Sequence, residues 1–311
     1  MTSSPSDSGV VVLEGRPLRF QRLLQAWHHS ESRPLPWRDT HDPYRILVSE
    51  IMLQQTQVDR VEPVYHAFLR RFPDIQTLAS SPLADVVRAW QGLGYNRRAV
   101  SLHRAARAVV ERHGGRVPFD LLSLRALPGV GDYTARAVLA FAFGQDVGPV
   151  DVNVARVLAR AAAGRALRRS EVQHLADTLV PPGQAATWTA GLMDLGARYC
   201  TARAPRCPAC PVAAACAWRT DGGPDAGGLC DPAATTAVRT RAQQPFAGSD
   251  RYHRGRLVET LRRGPVECDA LPDAADLDDT GRLAALTRSL VDDGLAEWND
   301  GSLRLPTDSG A

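Results

Sequence analysis

Four of the chain's six cysteines, Cys200, Cys207, Cys210 and Cys216, fall within the seventeen residues CTARAPRCPACPVAAAC, with six, two and five residues between them. A structural zinc site usually carries two close pairs on separate knuckles joined by a longer loop. Here only Cys207 and Cys210 are a close pair. Four thiolates on one compact loop suit a cubane iron-sulfur cluster, each iron held by one cysteine, with zinc as the alternative. Cys230 and Cys268 stand apart and read as bystanders. Two carboxylates point to a second kind of chemistry. Glu50 lies in ILVSEIMLQQTQV, near Ile46, Ile51 and Leu53. A carboxyl group among apolar neighbours loses hydration, so its pKa should rise and it can act as a general acid. Asp151, in GPVDVNVARVLAR, precedes a helical pattern, where amides and the helix dipole favour the ionised form and suit an electrostatic partner. From residue types alone, a solvent-facing glutamate and a plain helix cap remain the alternatives.

A third stretch, LPGVGDYTARAVLAF, sets Gly129, Val130 and Gly131 between two helical patterns, with Asp132 opening the second. Glycines permit a tight turn, and amides at a new helix N-terminus can face an anion. All 37 basic residues are arginine, since the chain contains no lysine. No side-chain amine can therefore form a Schiff base.

These groups need a scaffold, and the periodicity is helical. From Leu18 to about Ala217, apolar residues recur at three- and four-residue spacing between Pro and Gly breaks, with no convincing strand. Residues 219–249 lose this pattern and read as a linker, and the Ser- and Pro-rich residues 1–15 read as a disordered tail. Residues 250–306 change character: YHRGRLVETLRRG and GRLAALTRSLVDDGL are helical, then AEWNDGSLRL carries an Asn-Asp-Gly turn between short alternating runs, a hairpin signal. This predicts a small α+β, winged-helix-like C-terminal domain, serving either DNA binding or packing.

The bulk numbers set outer limits. A chain of 311 residues with 44% hydrophobic content can build two ordinary domains. Net charge is only +3, so nucleic-acid binding would have to come from local clusters. The longest apolar run, AVLAFAF, is far short of a membrane span, and no export signal precedes it. The expectation is a cytoplasmic protein with reduced thiols, associated with the nucleoid if bacterial, a monomer with no membrane partner.

The cysteine run resembles the [4Fe-4S] cluster loop of the endonuclease III and MutY branch of the helix-hairpin-helix DNA glycosylases, and LPGVG resembles their phosphate-gripping hairpin. SEIMLQQTQV resembles the MutY motif that carries a catalytic glutamate. VDVNV resembles the segment with the catalytic aspartate, often written Asp-Gly-Asn, here with Val152 in the middle. The resemblance covers residues 18–218. It implies a mainly α, two-lobed fold, with the cluster lobe in 16–36 and 144–218 and a six-helix lobe with the hairpin in 37–143.

The resemblance implies Glu50 and Asp151 as catalytic, with Asn153 orienting the aspartate. Tyr133 occupies the position where bifunctional relatives carry their lysine. It also implies Trp37 and Arg38 at the base pocket. Gln54, Gln55 and Thr56 would fill the gap left by a flipped base, Tyr95 would be the wedge, and the hairpin, Arg203 and Arg206 would contact phosphates. The implied function is a monofunctional adenine DNA glycosylase acting on double-stranded DNA with adenine opposite 8-oxoguanine or G. Two alternatives stand beside it: an endonuclease III-like enzyme for oxidised pyrimidines, and a non-enzymatic iron-sulfur DNA-binding protein. Three further departures are visible: Asn96 in place of a second tyrosine, Ala190 where relatives often carry Gln or Glu, and a tail too short and helical for the Nudix-like domain of many MutY proteins.

Overall fold

The protein is described here by a computed structural model, covering residues 15–223, 230–236 and 245–307. The tail expected over 1–15 lies outside the described residues except for Gly15, as do parts of the expected linker. Two compact units are formed from alternating parts of the chain: Met1–Pro34 with Gly144–Thr240, and Leu35–Phe143 with Arg241–Ala311.

Helix α1 (Arg16–Glu31) starts the first unit. The chain then builds the second through α2 (Pro43–Leu53), α3 (Val58–Arg71), α4 (Ile75–Ser80), α5 (Leu83–Ala89), α6 (Arg97–His113), α7 (Leu121–Arg125) and α8 (Asp132–Phe143). It returns to the first with α9 (Val152–Val157), α10 (Arg169–Thr178), α11 (Ala185–Arg198), α12 (Ala217–Thr220) and α13 (Pro232–Thr235). Helix α9 runs on into a π-helical turn, Leu158–Ala163, that carries Arg160. The final segment adds α14 (Asp250–Leu261), β1 (Val266–Glu267), α15 (Leu271–Ala275), α16 (Thr280–Asp292), β2 (Glu297–Asn299) and β3 (Ser302–Arg304).

Helix α2 is the centre of the second unit. Asp42 caps it, its Oδ1 accepting from the Tyr44 amide at 2.9 Å, and Pro43 sits at the first turn where no amide is needed. Every residue from Ile46 to Met52 is buried, because α3, α6 and α8 all pack against it. Around it Phe68, Phe72, Trp90 and Val109 complete an apolar core. In the first unit, α1 buries Phe20, Leu24 and His28 on one stripe against α11, with Phe20 edge-on to Trp188.

The predicted hairpin is β2–β3, pairing Trp298 with Leu303. The short strand β1 joins it, pairing Val266 with Leu303, and the antiparallel order β1-β3-β2 after helices completes a winged-helix-like module. Two residues are too few to show alternation in a sequence, which is why β1 escaped the strand signal. The C-terminal module contacts the hairpin helices: Arg262 donates from Nε to Val87 O at 3.1 Å, Gln91 Nε2 to Glu259 Oε1 at 2.6 Å, and contacts group it with them. Among the described residues of 219–249, Asp231 caps α13 and forms an ion pair with buried Arg160 at 2.5 Å. No helix among the described residues is long and apolar enough to cross a membrane.

Candidate active site and cluster loop

Asp151 is the N-cap of α9. Its Oδ1 accepts from the Val154 amide at 2.7 Å, and its Oδ2 accepts from Asn153 Nδ2 at 2.9 Å. Arg156 donates from Nη2 to Asn153 Oδ1 at 2.7 Å, and from Nε to Cys200 O at 2.6 Å. The guanidinium thus fixes which end of the Asn153 amide faces Asp151. Burial lowers the pKa of Arg156, with Cys200 and Asp151 opposing the shift. Gly196 stands where a side chain would collide, because an added Cβ would lie 2.7 Å from Asn153 Cβ. Ala190 is buried in α11.

Cys200, Cys207, Cys210 and Cys216 are free thiols, each half-buried, and all four line one cavity with Arg160, Tyr199 and Trp218. Two 3-10 turns, Cys207–Ala209 and Ala213–Ala215, wind the loop so that widely spaced sulfurs converge. Burial pushes the Cys210 thiol up to about 12, with the neighbouring sulfurs adding to the shift, and raises Cys216 as well. Such thiols become thiolates only against a strong positive centre, which a bound metal supplies. Among the described residues, no group of three or more His, Cys, Asp or Glu is set for a single metal ion. Four thiols around one cavity are a donor set that fits a metal-sulfur centre. Arg160 backs the loop, donating from Nη1 to Thr201 O at 2.7 Å and stacking over Trp218 at 5.1 Å. Arg203 and Arg206 are exposed on the loop, while Cys230 and Cys268 are exposed away from the cavity.

In the second unit Glu50 is 5% exposed, on a helix with no solvent-facing residue between positions 46 and 52. The solvent-facing alternative for this glutamate is therefore gone. Helix α2 ends at Leu53, and Gln54 reaches the hairpin, its Nε2 lying 3.4 Å from both Gly129 O and Thr134 Oγ1. Gly129 has φ +77°, and a Cβ there would come within 2.6 Å of Ser101 Cβ, so both backbone and space demand glycine. Gly131 faces open space. Val130 is buried and its amide is bonded to Leu127 O at 3.1 Å. Asp132 sits in the first turn of α8, bridged to Arg136 at 3.1 Å, and Tyr133 beside it is half-buried. Trp37 is buried with its ring edge-on to Tyr65 at 5.5 Å, and Arg38 is half-buried.

Gln55 and Tyr95 both have left-handed backbones, at φ 57° and 45°, a conformation that costs about 1–3 kcal/mol unless the surroundings impose it. Arg98 imposes it. Its buried guanidinium donates to Ile51 O at 3.0 Å, Met52 O at 2.7 Å, Thr56 Oγ1 at 2.9 Å, Leu93 O at 3.2 Å and Gly94 O at 3.1 Å. Burial lowers its pKa to about 10, still charged at neutral pH. The sequence reading missed Arg98 and Arg156, because nothing in YNRRAV or NVARV marks one arginine as buried. The departure Asn96 also acquires a role, its Oδ1 accepting from Arg262 Nη2 of α14 at 2.8 Å.

Residues 48–182 match the family described as HhH-GPD superfamily base excision DNA repair protein. The chain is 42% identical over 280 residues to the adenine DNA glycosylase of Mycolicibacterium smegmatis, an alignment covering 88% of this chain and 91% of that protein. Among solved structures, a thermostable thymine-DNA glycosylase superposes with a TM-score of 0.61 at 32% identity, over 66% of this chain and 97% of the other. A trapped endonuclease III-DNA covalent intermediate shares the fold, with a TM-score of 0.57 at 22% identity over 68% and 99% of the two chains. With near full-length similarity on top of the hairpin, the buried glutamate and the cysteine loop, the chain belongs to the adenine DNA glycosylase family of the HhH-GPD superfamily.

Proposed function

We propose that this protein is a monofunctional DNA glycosylase of base excision repair, hydrolysing the N-glycosidic bond of adenine mispaired with 8-oxoguanine or G in duplex DNA. The observation that carries this reading is a pair of carboxylates in opposite environments. Glu50 is removed from water, whereas Asp151 accepts two hydrogen bonds, from the Val154 amide and from Asn153. Such a pair divides the work of glycoside hydrolysis between an acid and an anion.

The adenine leaves the stack first, since its glycosidic bond cannot be reached inside the duplex. Protonated Glu50 gives its proton to N7, so the base departs neutral while the C1′–N9 bond breaks and its electron pair stays with adenine. Ionised Asp151 stabilises the positive charge left at C1′. Glu50, now a carboxylate, takes a proton from the water whose oxygen bonds to C1′, which restores the starting acid. With no lysine in the chain, the abasic strand is left uncut.

Gln54, Gln55, Thr56 and Tyr95 occupy the space vacated by the flipped base, Arg38 and Trp37 border the base pocket, and Gly129, Gly131, Arg203 and Arg206 hold phosphates, while Val130, buried and bonded to Leu127 O, packs the turn. Cys200, Cys207, Cys210 and Cys216 would hold a [4Fe-4S] cluster, which when bound fixes the loop and takes no part in the hydrolysis. The protein acts as a monomer. Single-turnover assays on duplexes with adenine opposite 8-oxoguanine, G or C, and on thymine glycol, test the reading. Adenine release fastest opposite 8-oxoguanine supports it, and release of thymine glycol alone refutes it.

A further inference from the structure

The cavity shared by Cys200, Cys207, Cys210 and Cys216 is also lined by Trp218, which belongs to α12 just beyond the last cysteine. Trp218 is buried, and its indole Nε1 has no hydrogen-bond partner. A buried donor left unpaired is costly, and folded proteins keep few of them. We propose that the Trp218 indole N–H donates a hydrogen bond to a sulfur of the bound metal-sulfur centre and so raises its reduction potential. The proposal rests on the reading of the four cysteines as ligands of a [4Fe-4S] cluster.

Trp27 and Trp188 also bury an indole N–H without a partner, but neither lines this cavity. Trp218 does, and the acceptors that a metal-sulfur centre brings are thiolate and sulfide sulfurs. The protein groups around it are donors. The Arg160 guanidinium lies 5.1 Å from the Trp218 ring, and the backbone amides of Arg219 and Trp218 are directed at the Cys216 thiol. An indole has a donor and no acceptor, so none of these groups can answer it.

The indole is held by a fixed frame. Arg160 stands on the π-helical turn Leu158–Ala163, a distortion frequent at functional sites, and is almost fully buried. Asp231 grips it with both oxygens, Oδ1 accepting from Nε at 2.8 Å and Oδ2 from Nη2 at 2.5 Å, a forked pair that sets the plane of the guanidinium. The same cation that stacks on Trp218 donates from Nη1 to Cys200 Sγ at 3.5 Å. On the other side Arg219 donates from Nη1 to Cys207 O at 3.0 Å, which ties α12 to the cysteine loop. Helix α12 also packs closely on Gly164, where an added Cβ would lie 3.1 Å from Ala217 Cβ.

The test is the reduction potential of the cluster in the full-length holoprotein, measured by voltammetry on the wild type, Trp218→Phe and Trp27→Phe. A hydrogen bond to a sulfur favours the more negative, reduced state, and its loss should change the reduced-to-oxidised ratio about tenfold. Trp218→Phe keeps an aromatic ring beside Arg160 but removes the N–H, so its potential should fall by about 59 mV for a one-electron couple. Trp27→Phe removes an equally buried and unpartnered N–H outside the cavity and should match the wild type. An unchanged potential in Trp218→Phe protein that keeps its iron overturns the proposal, as does an equal fall in Trp27→Phe. A second measurement needs no variant and so survives misfolding. With tryptophan isotopically labelled at the indole nitrogen, pulsed EPR of the wild-type cluster in a paramagnetic state should show coupling to an indole nitrogen and to a proton that exchanges in heavy water. Absence of that coupling, as when the N–H faces a water molecule instead, overturns the proposal. The two readings fail separately: wild-type protein without iron and sulfide defeats the cluster and the donor together, whereas iron and sulfide without the coupling defeats the donor alone.

Discussion

Asn153 gives one amide hydrogen to Asp151 at 2.9 Å while Arg156 holds the other end of that amide at 2.7 Å. The orientation of the anionic carboxylate is thereby set from within its own helix, two residues away, and the arginine that sets it is itself anchored on a carbonyl of the cluster loop. In the proposed mechanism a carboxylate held in this way needs no reorganisation as charge develops on the sugar, which is the condition for electrostatic catalysis.

Asn153→Ala removes the donor and leaves Asp151 with only its capping bond. A lost hydrogen bond to a charged group is worth about 1.5–3 kcal/mol, or roughly a 10- to 150-fold slower single-turnover rate. Duplex affinity, followed by anisotropy, should change little.

Glu50→Gln keeps the size of the side chain but cannot deliver a proton. Excision should fall by at least about 100-fold, the lower range for a general acid, while binding to mispaired DNA persists. Near-normal turnover would remove Glu50 from the mechanism.

Borohydride added during turnover should trap no covalent protein-DNA adduct, because no lysine exists to form the imine. The product strand should migrate at full length until alkali cleaves it at the abasic site. An adduct on gels would instead favour the endonuclease III-like chemistry.

Cys207→Ser withdraws one of the four sulfurs around the cavity. The wild-type protein should contain about four iron and four sulfide per chain, and the variant clearly less. Iron and sulfide analysis decides this, and equimolar zinc without sulfide would reject the cluster.

Arg98→Lys tests the clamp under Gln55 and Tyr95. A lysine offers three hydrogens where the guanidinium serves carbonyls from both turns. Buried acceptors left unsatisfied cost about 1–3 kcal/mol each, so thermal unfolding should begin several degrees lower. Excision of mispaired adenine should weaken with it.

The chemistry-bearing stretches were readable because they are local. Cysteine spacing, the Pro-Gly hairpin and the capping position of Asp151 each depend on neighbours within a few residues. The environment of Glu50 was harder to read. Its apolar neighbours were visible, yet an exposed face remained possible until α3, α6 and α8 were seen to enclose the whole of α2. Arg97 and Arg98 are adjacent and identical in type, but one is exposed and the other clamps two turns. No periodic pattern separates them. Asp231 fell in a stretch without periodicity and is nonetheless the partner of Arg160, 71 residues away.

The sequence by itself determined which reactions were open to this protein: four thiols on one loop, two carboxylates in recognisable settings, and no amine for covalent catalysis. Those are properties of composition and short-range spacing, which covalent connectivity sets before any folding. The tertiary structure alone decided which charges are buried, which arginine holds which turn, and that Arg251 of the C-terminal module reaches Tyr95 across 156 residues of chain. Burial and long-range pairing depend on which surfaces the helices hide from water, and that is known only once the helices have packed.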